Sequence, residues 1–317
     1  MKPTAIIAAV LFIALASFAQ TSTPQTQTPA QSSTPQSTSG STNQAPGAAL
    51  TPPIHKVLQA GSQQEMKAYQ DAFNLTDPAK LEAAANDFST KYPNSQLRSP
   101  LYTRAMNLYA QSNDTDKVID CGRQAIAADP TNPIPLVQVA SALAESSRET
   151  DLDREQRLAE ASKDAQAAID NIDTGLVLPA NPDPVRVAAA KRSILTMAYD
   201  TLGMVDLDKK DYNSAVTNLQ KAIAESSSNP EAVLYLRLSV AQDNLKQYPQ
   251  ALDSANKALQ YARAGTQAQN LARMQQARLQ KLMSAQAPAA GATPPATTPA
   301  PRPNSSPAPT SPSSPQH

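Results

Sequence analysis

The residues able to do chemistry are few, and their spacing does not gather them. There is one cysteine, Cys121, and there are two histidines, His55 and His317. A thiolate nucleophile needs a base beside it, and thiolate zinc sites and iron-sulfur clusters need several cysteines. Cys121 follows Asp120 and has no histidine nearby in sequence, so it reads as a free, part-buried thiol on a helix. A single cysteine also excludes a disulfide framework within the chain. Asp114 and Asp116, Asp151 and Asp153, and Asp206 and Asp208 are each two residues apart, a spacing that puts side chains on different faces of a helix. They read as turn and capping acids. A general acid and base would share a face, and a calcium loop needs more ligands around a central glycine. With eight glycines in all, no glycine-rich phosphate loop is present, and aromatics do not interleave with basic residues as single-stranded nucleic-acid binding requires. The 27 basic and 27 acidic side chains leave no clustered positive footprint for nucleic acid. No catalytic residue, cofactor or metal ligand is assigned, and an enzyme is not expected.

The flanks explain where most of the 28 prolines reside. Lys2, the apolar run 5–16 and Ser17-Phe18-Ala19 form the pattern of a secretory signal peptide, residues 1–19, with cleavage after Ala19. The apolar stretch is about 15 residues long, short of the roughly 20 that span a bilayer, so no stable membrane span is expected after cleavage. No cysteine follows for lipid attachment. Residues 20–53 carry no charge and consist mainly of Thr, Ser, Gln, Pro and Ala, as do residues 287–317 apart from Arg302. Such segments cannot bury enough apolar surface to offset about 1–2 kcal/mol of ordering entropy per residue, and both are expected to be disordered. The expected location is the periplasm or outside the cell.

Between the flanks the pattern repeats itself. Apolar or small residues at x, x+3, x+4, x+7, x+10 and x+11 make one stripe of a 3.6-residue helix. Tyr212, Ala215, Val216, Leu219, Ala222 and Ile223 fill that template, and Tyr248, Ala251, Leu252, Ala255, Ala258 and Leu259 fill it again. Further copies start at Leu81, Thr115 and Leu158, so starts at 81, 115, 158, 212 and 248 are offset by 34, 43, 54 and 36 residues. A second helix precedes most of these, marked by Tyr102, Ala105 and Met106, by Tyr199, Leu202 and Gly203, and by Tyr235, Leu238 and Ser239. A large residue followed by a small one is what close antiparallel packing requires. Asp77-Pro78, Asn132-Pro133, Asp183-Pro184 and Asn229-Pro230 each set a capping side chain before a proline at the first helical position. Residues 264–286 form a closing helix with Leu271, Met274, Leu279 and Leu282 predicted toward the core. The charged stretch 149–157 and the apolar loop 174–183 interrupt the stack. The loop must lie against a neighbouring repeat or a partner.

Residues 196–230 resemble the tetratricopeptide repeat family through Tyr199, Leu202, Gly203, Tyr212, Ala215, Leu219, Ala222 and a late Pro230. Asp206 departs from the family's usual aromatic, and Ser226, Ser227 and Ser228 delay the proline. A copy at 99–130 keeps Tyr102, Tyr109, Ala125 and Pro130. Phe88, Tyr92, Pro93 and Ser95 are similar to a helix-ending turn common in repeat proteins of the bacterial cell envelope. The resemblance implies an all-α fold: a right-handed solenoid of about five antiparallel helix pairs over 54–263, followed by the capping helix and disordered tails.

It also implies a concave groove lined by the first helix of each pair. The family's groove positions fall on Thr103 and Asn107, on Asp200 and Met204, and on Leu236, Val240 and Asp243. The Lys and Asn clamp with which some relatives hold a peptide carboxylate is missing, and Asp200 would repel one. An extended or helical apolar segment suits Met204, Leu236 and Val240 better. The competing reading has these side chains packing on the capping helix. The function expected is therefore an exported, non-catalytic scaffold binding a protein or peptide in the periplasm or cell envelope. The alternatives are an arm of an envelope-polymer enzyme and a structural spacer.

Overall fold

The computed structural model describes residues 56–179, 181–226 and 230–286. The expected signal peptide, both low-complexity flanks, His55 and Asn229 lie outside them. Eleven helices are formed by the described residues: α1 (Gln63–Phe73), α2 (Pro78–Lys91), α3 (Arg98–Gln111), α4 (Thr115–Ala128), α5 (Pro133–Ser146), α6 (Arg154–Asp170), α7 (Pro184–Asp208), α8 (Tyr212–Glu225), α9 (Ala232–Asn244), α10 (Tyr248–Tyr261) and α11 (Gln267–Gln286). They pack consecutively as five antiparallel pairs, α1/α2 to α9/α10, with α11 laid against α9 and α10. This is the all-α helix-pair stack that the repeated stripe predicts.

Each stripe falls on the second helix of a pair and faces inward. Ala215, Leu219 and Ala222 on α8, Ala251, Ala255 and Ala258 on α10, and Leu158, Ala161, Ala165 and Ala168 on α6 are all fully buried. Alanine at these places brings helix axes close, so burial is achieved with little aromatic bulk. The crossings are tighter still. A Cβ added at Gly203 on α7 would lie 2.7 Å from Cγ of Leu219 on α8, and one at Gly122 on α4 would lie 2.1 Å from Cγ2 of Val139 on α5. At the matching crossing of α9 and α10 the buried Ser239 hydroxyl donates to the Ala251 carbonyl at 2.7 Å.

The turns inside three pairs share one form. Asn113, Lys210 and Lys246 adopt the left-handed conformation, with φ of 58°, 61° and 60°. The amide after each reaches back to close the preceding helix: Asp114 to the Tyr109 carbonyl at 3.1 Å, Asp211 to Asp206 at 2.9 Å and Gln247 to Gln242 at 2.9 Å. This closure satisfies carbonyls that a helix end leaves open.

Asp77, Asn132 and Asp183 cap α2, α5 and α7 through their side chains, each before a proline in the first turn. The fourth expected cap is corrected. α9 begins at Ala232 after Glu231, without a side-chain cap bond, so Pro230 is a buried residue of the approach and not the first helical one. Asp206 and Asp208 also differ from the capping acids expected, because α7 runs on through them. There Asp206 accepts from the Asn218 amide at 2.8 Å.

The apolar loop after α6 packs inward. Leu176 is buried with Leu136 and Val137 of α5, and a Cβ on Gly175 would lie 1.8 Å from the Thr131 carbonyl. Its outer edge pairs with the segment that precedes α1. Val177 and Lys56 form a parallel bridge, Leu178 donates to the Lys56 carbonyl at 3.2 Å, and Lys56 reaches the buried Asp129 at 2.7 Å. Residues 56–60 thus strap the first three pairs together.

Two outcomes follow. Gly203→Ala should lower unfolding free energy by about 1–3 kcal/mol through overpacking, and Gly122→Ala by more, because Val139 is stiff at χ1. Urea unfolding followed by helical circular dichroism measures both. Burial, and then Glu160, raise the Asp164 carboxyl to about 6, against Lys163 and Arg123. Its folded pKa lies above the unfolded one, so this residue's contribution falls as pH rises from about 4 to 6. Asp164→Asn should therefore raise stability at pH 7 by about 1–2 kcal/mol and leave it unchanged near pH 4, as thermal melts at the two pH values will show.

Candidate partner-binding groove

The first helices of the pairs form a layer of their own. α1 touches α3, α5 touches α7, α7 touches α9, and α9 touches α11, whereas the second helices of successive pairs make no comparable contact among the described residues. α5, α7, α9 and α11 therefore make one contiguous face, whereas α3 makes no comparable contact with α5.

The structure groups the groove residues unequally. Asp200 and Met204 lie one turn apart on α7, and Asp200 accepts a charge-assisted hydrogen bond from Arg237 of α9. Leu236 and Val240 share that region of α9; Leu236 is half-buried and Val240 is 36% exposed. Met204 packs its inner side on the main core cluster. Met204 is one turn from Asp200 and Val240 one turn from Leu236, on the two helices that the Asp200–Arg237 pair joins. Thr103 and Asn107 stand apart on α3, whose neighbours are α1, α2 and α4. The Thr103 hydroxyl is spent on the Ser99 carbonyl at 2.8 Å, and Asn107 Oδ1 is buried without a hydrogen-bond partner. Asp243 is occupied by the capping helix. It is 9% exposed, pairs with Arg278 and accepts from Gln275 at 2.9 Å. For this residue the packing alternative describes the structure.

Two acids complete the patch that sequence reasoning passed over. Glu145, at the end of α5, and Glu231, just before α9, flank the Asp200–Arg237 pair. Desolvation raises the Glu145 carboxyl against the pull of Arg237, with Asp200 and Glu231 adding to the rise. Desolvation likewise raises Glu231, with Asp200 adding and Arg237 opposing. Both side chains keep substantial solvent contact, and three carboxylates share one guanidinium. The one available signal was Glu145 itself, the only charged residue in helix α5.

Cys121 is 1% exposed. Burial, then the Glu82 charge, push its thiol up to about 12, with Lys117 opposing, so it remains a protonated core side chain at neutral pH. Among the described residues no cluster of three potential metal ligands occurs, and no helix is long and apolar enough to cross a membrane.

Two pairs repeat in detail. Lys221 lies over the Tyr199 ring at 5.2 Å and Lys257 over the Tyr235 ring at 5.9 Å. Both lysines and both tyrosines are offset by the same 36 residues as the stripes that start at Tyr212 and Tyr248. No protein-family model and no curated protein matches the sequence. Among solved structures, the chain is similar to MamA protein at 16% identity and a TM-score of 0.39, over 65% of this chain and 100% of that one. It is similar to PilW, a type IV pilus biogenesis factor, at 15% identity and a TM-score of 0.35, over 66% and 98%. A tetratricopeptide repeat protein from Parabacteroides merdae matches at 11% identity and a TM-score of 0.27, over 68% and 99%. At these TM-scores the likeness extends to a stack of helix pairs and no further.

Asp243→Ala should release α11 from the helix-pair stack, because it removes the shared acceptor of Arg278 and Gln275. A loss of about 1–3 kcal/mol is expected for a buried hydrogen-bonded charge. Hydrogen exchange checks this: α11 amides should exchange faster while those of α3 and α4 stay protected.

Proposed function

We propose that this protein is an exported, non-catalytic scaffold that holds a segment of another protein in the groove between α5, α7 and α9, in the periplasm or at the cell envelope. The observation that carries this reading is the patch itself. Met204, Leu236 and Val240 supply apolar contact, while Glu145, Asp200 and Glu231 surround a single arginine. A segment that combines aliphatic side chains with a lysine or arginine suits that mixture, since its positive charge would meet an excess of two carboxylates. The compartment rests on the pattern of residues 1–19.

Capture after crosslinking in intact cells, followed by pull-down with purified variants, tests the proposal. Leu236→Asp, folded by circular dichroism, should weaken recovery of the captured partner at least tenfold, equivalent to about 1.4 kcal/mol. Glu231→Gln should weaken it less. Binding should also fall from pH 7 to pH 5, because Glu145 and Glu231 take up protons before ordinary carboxylates do. Unchanged recovery by Leu236→Asp would remove the groove from the reading.

A further inference from the structure

The two ends of the stack carry surfaces that no described element covers. At one end, α1 and α2 diverge around a groove of about 310 Å³ walled by Ala68, Ala72, Leu75, Ala84, Phe88 and Tyr92, with Asp71, Asp87 and Lys91 on its rim. Two of the lining residues are aromatic, Phe88 and Tyr92, and Tyr69 and Phe73 of α1 stand behind them. Tyr69 meets Phe73 at 5.3 Å and Phe88 at 6.5 Å between ring centroids, and Phe88 meets Tyr92 at 4.9 Å. On α2, Leu81, Ala85 and Phe88 are buried in the core cluster with α3, Ala84 is half-buried at its edge, and Asp87 and Lys91 are exposed.

At the other end, α11 contradicts its expected orientation. Leu279 is buried and Leu282 half-buried as predicted, but Leu271 is 40% exposed and Met274 69% exposed, and Ala272 takes the inward place. The reason is phase. Ala272, Leu279 and Met283 share one face of the helix, Met274, Ala277 and Lys281 share the opposite one, and Leu271 lies on the flank between them. The helix is therefore apolar on two sides, whereas a terminal helix that ends a stack carries a polar outer face.

We propose that these two surfaces fit each other: α11 of one molecule lies in the α1–α2 groove of a second copy of this chain, with Met274 and Leu271 against the aromatic wall. Charge agrees with this pairing. α11 contains Arg273, Arg278 and Lys281 and no acid, and only Arg278 is engaged in an ion pair among the described residues. Asp87 on the groove rim has no ion-pair partner among them either, while Asp71 has Lys67 at 2.8 Å. Lys281, two turns beyond Met274 on the same face, is placed to meet Asp87. The chain's own flanks are poor occupants. Residues 287–317 contain no Leu, Ile, Val, Met, Phe or Tyr with which to fill an aromatic-walled groove. The segment before α1 is anchored at Lys56 by Asp129 and Val177 and packs Leu58 and Ala60 on the core cluster. Because the donor and acceptor surfaces differ, the contact is head-to-tail, and every assembly keeps one free donor at one end and one free acceptor at the other for further growth.

Sedimentation of the full chain over a hundredfold concentration range tests the proposal. Average mass should climb beyond that of a dimer with concentration, and less so in high salt. Met274→Glu, which removes the donor, and Ala84→Glu, which blocks the groove, should each be monomeric. Mixed together they should form a one-to-one dimer that grows no further, since only one intact pair of surfaces remains. Should Ala84→Glu fail to fold, Asp87→Lys, at an exposed position, should weaken association about tenfold and Lys281→Glu in the same chain should restore it. A wild-type chain that stays monomeric throughout, a mixture that stays monomeric, or growth that persists in Met274→Glu overturns the assignment.

Discussion

Two helices can approach only as closely as the side chains at their crossing permit, and in this protein that limit is set by very small residues. Gly203 lies under Leu219, Gly122 under Val139, and Ser239 against the Ala251 carbonyl. With nothing larger at these points, stripes of alanine on α6, α8 and α10 suffice to exclude water, and dispersion over many short contacts replaces a few bulky ones. The cost is intolerance. A single methyl at Gly122 has no space unless Val139 moves, and Val139 is held by its own neighbours in a core close to crystal density.

That constraint also shapes the groove. Among the first helices, α5 touches α7 and α7 touches α9, which brings side chains from all three onto one face. Asp200 on α7 and Arg237 on α9 are 37 residues apart in sequence and meet because the helices carrying them are adjacent in this layer. Glu145 from α5 and Glu231 from the approach to α9 then find themselves beside a guanidinium already engaged, and the excess negative charge raises the affinity of both for protons. A shallow surface of aliphatic and acidic side chains is the product of this arrangement. Nothing in it resembles a cleft with a nucleophile, and the one thiol is sealed in the core between α3 and α4.

The stack has an internal brace and two open ends. Residues 56–60 run along the loops at one edge and connect to Asp129 and Val177, so the first three pairs are tied by a strap as well as by helix contacts. The ends differ in character. The α1–α2 end is aromatic and carries acids on its rim; the α11 end is aliphatic and basic. A helical repeat has no intrinsic stop, and whether it terminates or continues into another molecule depends on whether its last faces are polar.

The helix pairs were legible because their cause is local. A 3.6-residue stripe, an Asp or Asn before proline, and a large-then-small sequence at crossings each express a physical demand that acts within a few residues, and α2, α4, α5, α6, α8 and α10 lie where those signals place them. The start of α9 was misread because a proline permits a helix start without requiring one, and the chain enters α9 two residues later. Leu271 and Met274 were misassigned because α11 is apolar on two faces, and periodicity does not say which face meets a neighbour. The groove was partly legible for the same reason. Helical phase put Asp200, Met204, Leu236 and Val240 on the first-helix face, but which charges stand beside them depends on contacts among α5, α7 and α9 across 30 to 90 residues of chain. Packing of distant helices therefore assigned Asp243 to the capping helix, and gave Glu145 and Glu231 to the patch.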